Sequence, residues 1–214
     1  MYMKSRKILL KKSQLYLILD RPTLGKRSLN KIYSAALGKQ IGLIQLRDKK
    51  SAQSKVLKLA TKLAKDLKNS QTLFIVNDDL NVAVASRADG VHLGQDDLSL
   101  KQARKILGKK MIIGISCHNL SQALKAQKEG ADYIGIGPVF PTATKPKLKA
   151  IGLKVLRQLK DKIRIPYFAI GDICAGNLKK VIATGTKRIA VCRAIIKVKN
   201  SKKATEQLIK ILNP

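Results

Sequence analysis

Carboxylates are what this chain has least of. Thirteen Asp and Glu stand against 44 Lys and Arg in 214 residues, a formal net charge of +31. Tryptophan is absent and aromatics make up 4%, so the ring platforms on which single-stranded nucleic acid stacks are scarce. The lysines are spread along every segment, and no helix-turn-helix, zinc-finger or RNP-like pattern is present. The basic balance therefore reads as solvated helix faces that also attract anionic substrates, with no specific nucleic-acid partner. No apolar run nears the ~18–20 residues that cross a bilayer, so no membrane is expected. Ile8-Leu9-Leu10 is too short for a signal-peptide core, and residues 1–13 read as a basic lead-in to the first strand. Three scattered cysteines (Cys117, Cys174 and Cys192) have no metal-ligand spacing, which points to free thiols in a reducing cytoplasm.

What the chain does have is a steady rhythm of short apolar runs. Leu15–Leu19, Ile41–Leu46, Leu73–Val76, Asp89–Leu93, Met111–Ile115, Tyr133–Gly137, Pro166–Ile170 and Arg188–Val191 read as strands one to eight. Between and after them lie helical patterns: Ser28 to Leu37 closed by Gly38, Ser51 to Leu67, Leu80 to Ser86, Ser99 to Leu107, Asn119 to Lys128, Leu153 to Leu159, Asn177 to Ala183 and Ala204 to Leu212. Alternation at this spacing means parallel strands joined by right-handed crossovers. It predicts one α/β domain over residues 14–214, a compact (β/α)8 TIM barrel. No GxGxxG follows the first strand, which disfavours an open doubly wound sheet.

In such a barrel the residues just after each strand meet on one face. Gln45, Arg47 and Lys49 follow strand two; Asn77 and Asp78 follow three; Gln95 and Asp97 follow four; Ser116 and His118 follow five. Gly171 and Asp172 follow strand seven, and Cys192 and Arg193 follow eight. After strand six, the Pro138–Lys145 loop offers Thr142, Thr144 and Lys145. Two hydroxyls, backbone amides and an ammonium suit a phosphate or diphosphate ester, although that loop alone also reads as a plain surface turn. Arg47, Lys49 and Lys145 can grip a diphosphate.

Four of the scarce acids come as pairs, Asp78-Asp79 and Asp96-Asp97. Two carboxylates are too few for a calcium cage but suit Mg²⁺, which keeps waters and shares phosphate oxygens. Each pair also precedes a helix, where Asp is a natural N-terminal residue. That role is assigned to Asp79 and Asp96, leaving Asp78 and Asp97 for metal. Diphosphate, Mg²⁺ and cations together point to departure of pyrophosphate from an activated carbon. Hydrolysis is disfavoured because no poised base stands out. His92, inside strand four, reads as barrel packing; His118 reads as structural, with an acid–base role as the alternative.

The stretches Gln45-Leu46-Arg47-Asp48-Lys49, Ile75-Val76-Asn77-Asp78, Asp89 to Asp97 (DGVHLGQDD) and Gly135 to Lys145 (GIGPVFPTATK) resemble the thiamine-phosphate synthase family, over about residues 14–197. The resemblance implies a transferase that joins hydroxymethylpyrimidine diphosphate to a thiazole phosphate. Pyrophosphate leaves, and the thiazole nitrogen attacks the pyrimidine carbocation. It further implies that Arg47, Lys49, Ser116 and Lys145 carry the chemistry and that Gln45 to Lys49 and Asn77 bind the pyrimidine diphosphate. Asp78 and Asp97 would hold Mg²⁺. Thr142 and Thr144, with Gly171, Asp172, Cys192 and Arg193, would surround the thiazole phosphate. A homo-oligomer is compatible with this reading.

Two departures from the family pattern sit together. Gly171-Asp172 stands where the family has Gly-Gly, and Arg193 where it has a small residue. A carboxylate repels a phosphate, so Arg193 is expected to neutralise Asp172 or to take over the phosphate itself. Two rivals carry weight at this stage. One is a thiazole tautomerase using His118, which would lack the metal carboxylates; the other is a noncatalytic binder of phosphate esters or RNA.

Overall fold

The computed structural model describes residues 2–36, 41–144, 146 and 148–214. Its elements run α1 (Tyr2–Lys12), β1 (Leu15–Asp20), α2 (Arg21–Leu24), α3 (Leu29–Ala36), β2 (Leu43–Arg47), α4 (Gln53–Leu67), β3 (Leu73–Asn77) and α5 (Leu80–Ala85). They continue β4 (Gly90–Leu93), α6 (Leu100–Leu107), β5 (Ile112–Cys117), α7 (Leu120–Lys128), β6 (Tyr133–Ile136), α8 (Gly152–Leu159), β7 (Tyr167–Ile170), α9 (Ala175–Ile182), β8 (Ile189–Val191), α10 (Arg193–Ile196) and α11 (Ser201–Leu212). All eight strands pair in parallel and in sequence order, and β8 returns to β1. This is the (β/α)8 barrel that the alternation predicts. Among the described residues no helix is long and apolar enough to cross a membrane.

Strand periodicity sorts the side chains into two concentric cores. Leu15, Leu17 and Leu19 of β1 face the helices, whereas Tyr16 and Ile18 face the barrel interior. Phe74 and Val76 of β3 face out, and Leu73 and Ile75 face in. The interior layer continues with Leu43, Ile112, Tyr133, Phe168 and Ala190. Gly114 makes room for one of these rings, because a Cβ there would lie 2.1 Å from Tyr133 Cζ.

The basic lead-in is itself helical. α1 closes the lower end of the barrel, and Leu10, 2% exposed, joins the interior cluster with Tyr16, Leu43 and Phe168. Arg6 Nε pairs with Asp89 at 2.7 Å and Lys7 Nζ with Asp132 at 3.1 Å, tying the helix to the entries of β4 and β6. Leu10→Ala removes a buried side chain that its rigid neighbours cannot replace. It is expected to destabilise the fold by about 3 kcal/mol, which urea denaturation measures.

Several helix starts differ from the sequence reading. α4 begins after Ala52, which makes no side-chain cap, rather than at Ser51; the N–H groups of Lys50 and Ser51 donate instead to Asp48 Oδ1, both at 3.1 Å. Asp79 does cap α5, accepting from Val82 N at 2.9 Å. Asp96 caps nothing. Ser99 takes the position before α6 in a reciprocal pair with Gln102, and Asp96 is left exposed on the preceding loop. A hydroxyl one residue before the helix outcompetes a carboxylate placed too far back to reach its free N–H groups. α11 starts early, at Ser201, because Asn200 accepts from Lys203 N. The predicted helix end at Leu37-Gly38 lies outside the described residues.

Candidate active site

The upper, C-terminal ends of the strands surround one cavity. Of the residues singled out from sequence, Gln45, Arg47, Asn77, Ser116, Thr142, Thr144, Gly171, Asp172, Cys192 and Arg193 line it. Asp78 directly follows Asn77, and Lys49 Nζ pairs with Asp78 Oδ2 at 2.7 Å, which sets both on the same rim. Lys145 lies outside the described residues.

Parity explains who points inward. Gln45 and Arg47 share the face of Leu43, and Asp20 shares that of Tyr16 and Ile18. In the β1–β2 register Asp20 stands beside Arg47. Their side chains form an ion pair, with Asp20 only 2% exposed and Arg47 14%. Asp20 Oδ2 also accepts from Thr23 N at 3.1 Å and Thr23 Oγ1 at 2.6 Å. The guanidinium is thus held from below by a buried, well-satisfied carboxylate.

Asp78 sits at φ 61°, a left-handed backbone that Asp tolerates better than most residues, and its N–H donates to His92 O at 2.9 Å. Asp97 Oδ2 accepts from Gly94 N at 2.6 Å. Burial lifts the Asp97 pKa above the ordinary carboxylate range; Asp78 adds to the rise, against the pull of the Gly94 N–H and Lys49. Two carboxylates that feel each other, one of them paired with the Lys49 ammonium, form a cation-seeking pair. Among the described residues no three His, Cys, Asp or Glu side chains are grouped for a metal. Two carboxylate donors would suit an ion that fills most of its coordination with water and substrate oxygens, as Mg²⁺ does.

A hydrogen-bonded chain crosses the cavity floor, and the sequence reading missed most of it. Gln45 Nε2 donates to Tyr16 Oη at 2.6 Å, Tyr16 meets Tyr133 Oη at 2.9 Å, and Tyr133 meets His92 Nδ1 at 3.0 Å. His92 Nε2 then lies 3.0 Å from Ser116 Oγ. With the Gln45 amide donating, an order that leaves no phenol proton unpaired runs Tyr16 to Tyr133 to His92 Nδ1. Nε2–H then donates to Ser116, and the Ser116 proton is free for the cavity. Burial pushes both phenol pKa values well up, so these hydroxyls stay neutral. His92 is 8% exposed, as its packing role predicts, yet it also orients Ser116. The available signal was two tyrosines inside otherwise aliphatic strands, and an acid closing strand one.

His118 bonds through Nδ1 to the Gly137 carbonyl, which can only accept, so Nδ1 carries a proton. Burial raises the Cys192 thiol to about 11, so it is a neutral wall rather than a nucleophile. At the ends of β7 and β8, Asp172 Oδ1 lies 3.7 Å from Arg193 Nη1. The two departures noted in the sequence thus face each other.

A closed parallel eight-stranded barrel with polar and cationic side chains lining a cavity at the C-terminal ends of its strands is a scaffold of the (β/α)8 enzyme class. Within that class, the thiamine monophosphate synthase family model matches residues 15–195, and the chain belongs to that family. It is 40% identical over 201 residues to the thiamine-phosphate synthase of Shouchella clausii, covering 94% of this chain and 96% of that one. It is 42% identical over 197 residues to that of Clostridium botulinum, covering 92% and 96%. A solved thiamine phosphate pyrophosphorylase from Pyrococcus furiosus superposes with a TM-score of 0.86 at 36% identity over 96% of both chains.

Proposed function

We propose that this chain condenses hydroxymethylpyrimidine diphosphate with a thiazole phosphate to give thiamine phosphate and pyrophosphate, with Mg²⁺ at Asp78 and Asp97. The observation that carries the reading is the meeting of Lys49, Asp78 and Asp97 at the ends of β2, β3 and β4, next in sequence to the cavity-lining Arg47 and Asn77, in a chain of this family. The bond from the pyrimidine methylene to the diphosphate oxygen breaks, and its electron pair leaves on pyrophosphate. The thiazole nitrogen gives its lone pair to the methylene carbon, so one C–N bond replaces one C–O bond and no proton moves. Asp78 and Asp97 would hold the metal, which would supply charge neutralisation for the leaving diphosphate.

The protein's own part is positioning and fixed charge. Arg47, rigid on Asp20, and Lys49 face the diphosphate. The Ser116 hydroxyl, oriented by His92, offers a donor to the pyrimidine or the diphosphate. The neutral floor and aliphatic walls exclude water, which would otherwise capture the carbocation. Purified protein is expected to release pyrophosphate only when both substrates and Mg²⁺ are present. Release from the pyrimidine diphosphate alone, or none under any condition, would sink the proposal. Isomerisation of the thiazole phosphate without release would restore the tautomerase reading.

A further inference from the structure

A second cleft, of about 570 Å³, lies at the lower end of the barrel, at the opposite ends of the strands from the mouth. That volume is ordinary for a ligand site. The turn from α8 to β7, the turn from α9 to β8 and the last turn of α1 enclose it. Five of its eleven lining residues are Lys or Arg, against 44 of 214 in the whole chain, so cations gather here beyond the general basic bias. They are Lys11, Lys160, Arg164, Lys187 and Arg188; Asp161 is the one acid on the wall. Among the described residues none of the five forms an ion pair with a carboxylate, whereas other cations at this end do.

The contrast is sharpest at the strand entries. Asp89 before β4 takes Arg6, and Asp132 before β6 takes Lys7 and Arg104. Before β8 the residue is Arg188, a cation next to a basic helix. Its Nη2 donates to Lys11 O at 2.8 Å, but its Nε is buried and has no hydrogen-bond partner. Burial presses the Arg188 pKa below the ordinary arginine value, against an opposing pull from Tyr167. A half-buried guanidinium without a counter-charge is costly to keep. Lys11 and Lys160 stand at helix C-termini, where a cation is at home. Arg164 and Lys187 belong to no helix, so that role does not explain them.

The walls are fixed before any ligand arrives. Gln127 Oε1 accepts from Arg164 N at 2.6 Å and Ile165 N at 3.3 Å, and Gln127 Nε2 donates to Lys162 O at 3.3 Å, which pins the first turn. In the second turn the buried hydroxyls of Thr184 and Thr186 meet at 2.9 Å. Gly185, at φ 87°, lies against the stem of Lys160; a Cβ there would fall 2.9 Å from Lys160 Cδ. Cations on a pinned frame bind an anion without the cost of ordering a loop.

We infer that this lower cleft binds an oligophosphate group, free or carried on a small molecule, which links α1 to the turns before β7 and β8. Five cations and one carboxylate leave several positive charges to balance. Linked phosphates bring several negative charges and oxygens that a guanidinium holds in pairs, whereas a single carboxylate brings one charge. The site is separate from condensation at the upper mouth and does not depend on it.

Calorimetry with tripolyphosphate, adenosine triphosphate and orthophosphate, joined to backbone amide shifts, tests this. Both triphosphates are expected to bind at least about tenfold more tightly than orthophosphate in roughly 0.1 M salt, because more charges are matched. Comparing the two tells a free phosphate chain from one carried on a nucleoside. The amides of Arg164, Gly185 and Lys187 should shift. Arg164→Gln/Lys187→Gln removes two exposed charges that make no side-chain hydrogen bond among the described residues, so the fold should keep its Tm. It should weaken tripolyphosphate binding at those amides about fivefold or more, the scale of two lost partly exposed ion pairs. Lys101→Gln/Lys105→Gln takes the same charge from the exposed face of α6 and should change binding less than about twofold. Arg188→Gln should weaken binding at least as much as the cleft pair, and Arg188→Lys should restore part of the loss. Shifts confined to the upper cavity, at Asn77 and Ser116, would overturn the inference. So would equal affinity for orthophosphate and tripolyphosphate. Equal losses in the cleft and α6 variants would make binding a matter of net charge, open to any polyanion including RNA, and would overturn it as well.

Discussion

Asp78→Asn/Asp97→Asn is expected to lower kcat/KM by about 10²–10³-fold or more, the rate equivalent of the several kcal/mol a bound cation supplies to a leaving diphosphate. The fold should survive. Asn tolerates the left-handed backbone of Asp78, and its carbonyl oxygen can still accept from Gly94 N in place of Asp97. Steady-state rates over a Mg²⁺ titration, with thermal denaturation as the control for folding, decide the matter. Parental turnover with parental Mg²⁺ dependence would remove both carboxylates from the mechanism. So would a loss of rate matched by a loss of structure.

Arg47→Ala should fail in two separable ways. The first is stability, because Asp20 is left buried with an uncompensated charge, softened by its two bonds from Thr23. Breaking one side of a buried pair costs several kcal/mol, and with Thr23 still in place about 2–4 kcal/mol is expected, or a Tm lower by roughly 5–12 °C. The second is catalysis, since the diphosphate loses its rigid cation. Asp20→Asn/Arg47→Ala should recover at least half of the lost stability and none of the lost activity. Recovery of both would mean that Arg47 serves only the fold. Recovery of neither would mean that the Asp20 charge is not what the fold objects to.

Much of this was legible in the sequence, for a definite reason. A parallel barrel sends every strand the same way, so polar residues that close apolar runs must share one mouth, and Gln45, Asn77, Ser116 and Cys192 do. What could not be read depends on neighbours across the barrel. The Asp20–Arg47 pair follows from strand register, which periodicity does not specify. The path Gln45–Tyr16–Tyr133–His92–Ser116 joins five different strands, and each step depends on side-chain reach. The opposition of Asp172 and Arg193 could be suspected only because both break a family pattern; their meeting is a fact of three dimensions. The N-terminal helix was hidden by its own lysines, which mask the leucine that enters the barrel.

That leucine has a consequence for traffic. With Leu10 stoppering the far end and Tyr16, Tyr133 and Phe168 filling the middle, the barrel is a blind well, not a tunnel. Whatever settles against Gln45 and Ser116 has to enter and leave by the upper mouth alone.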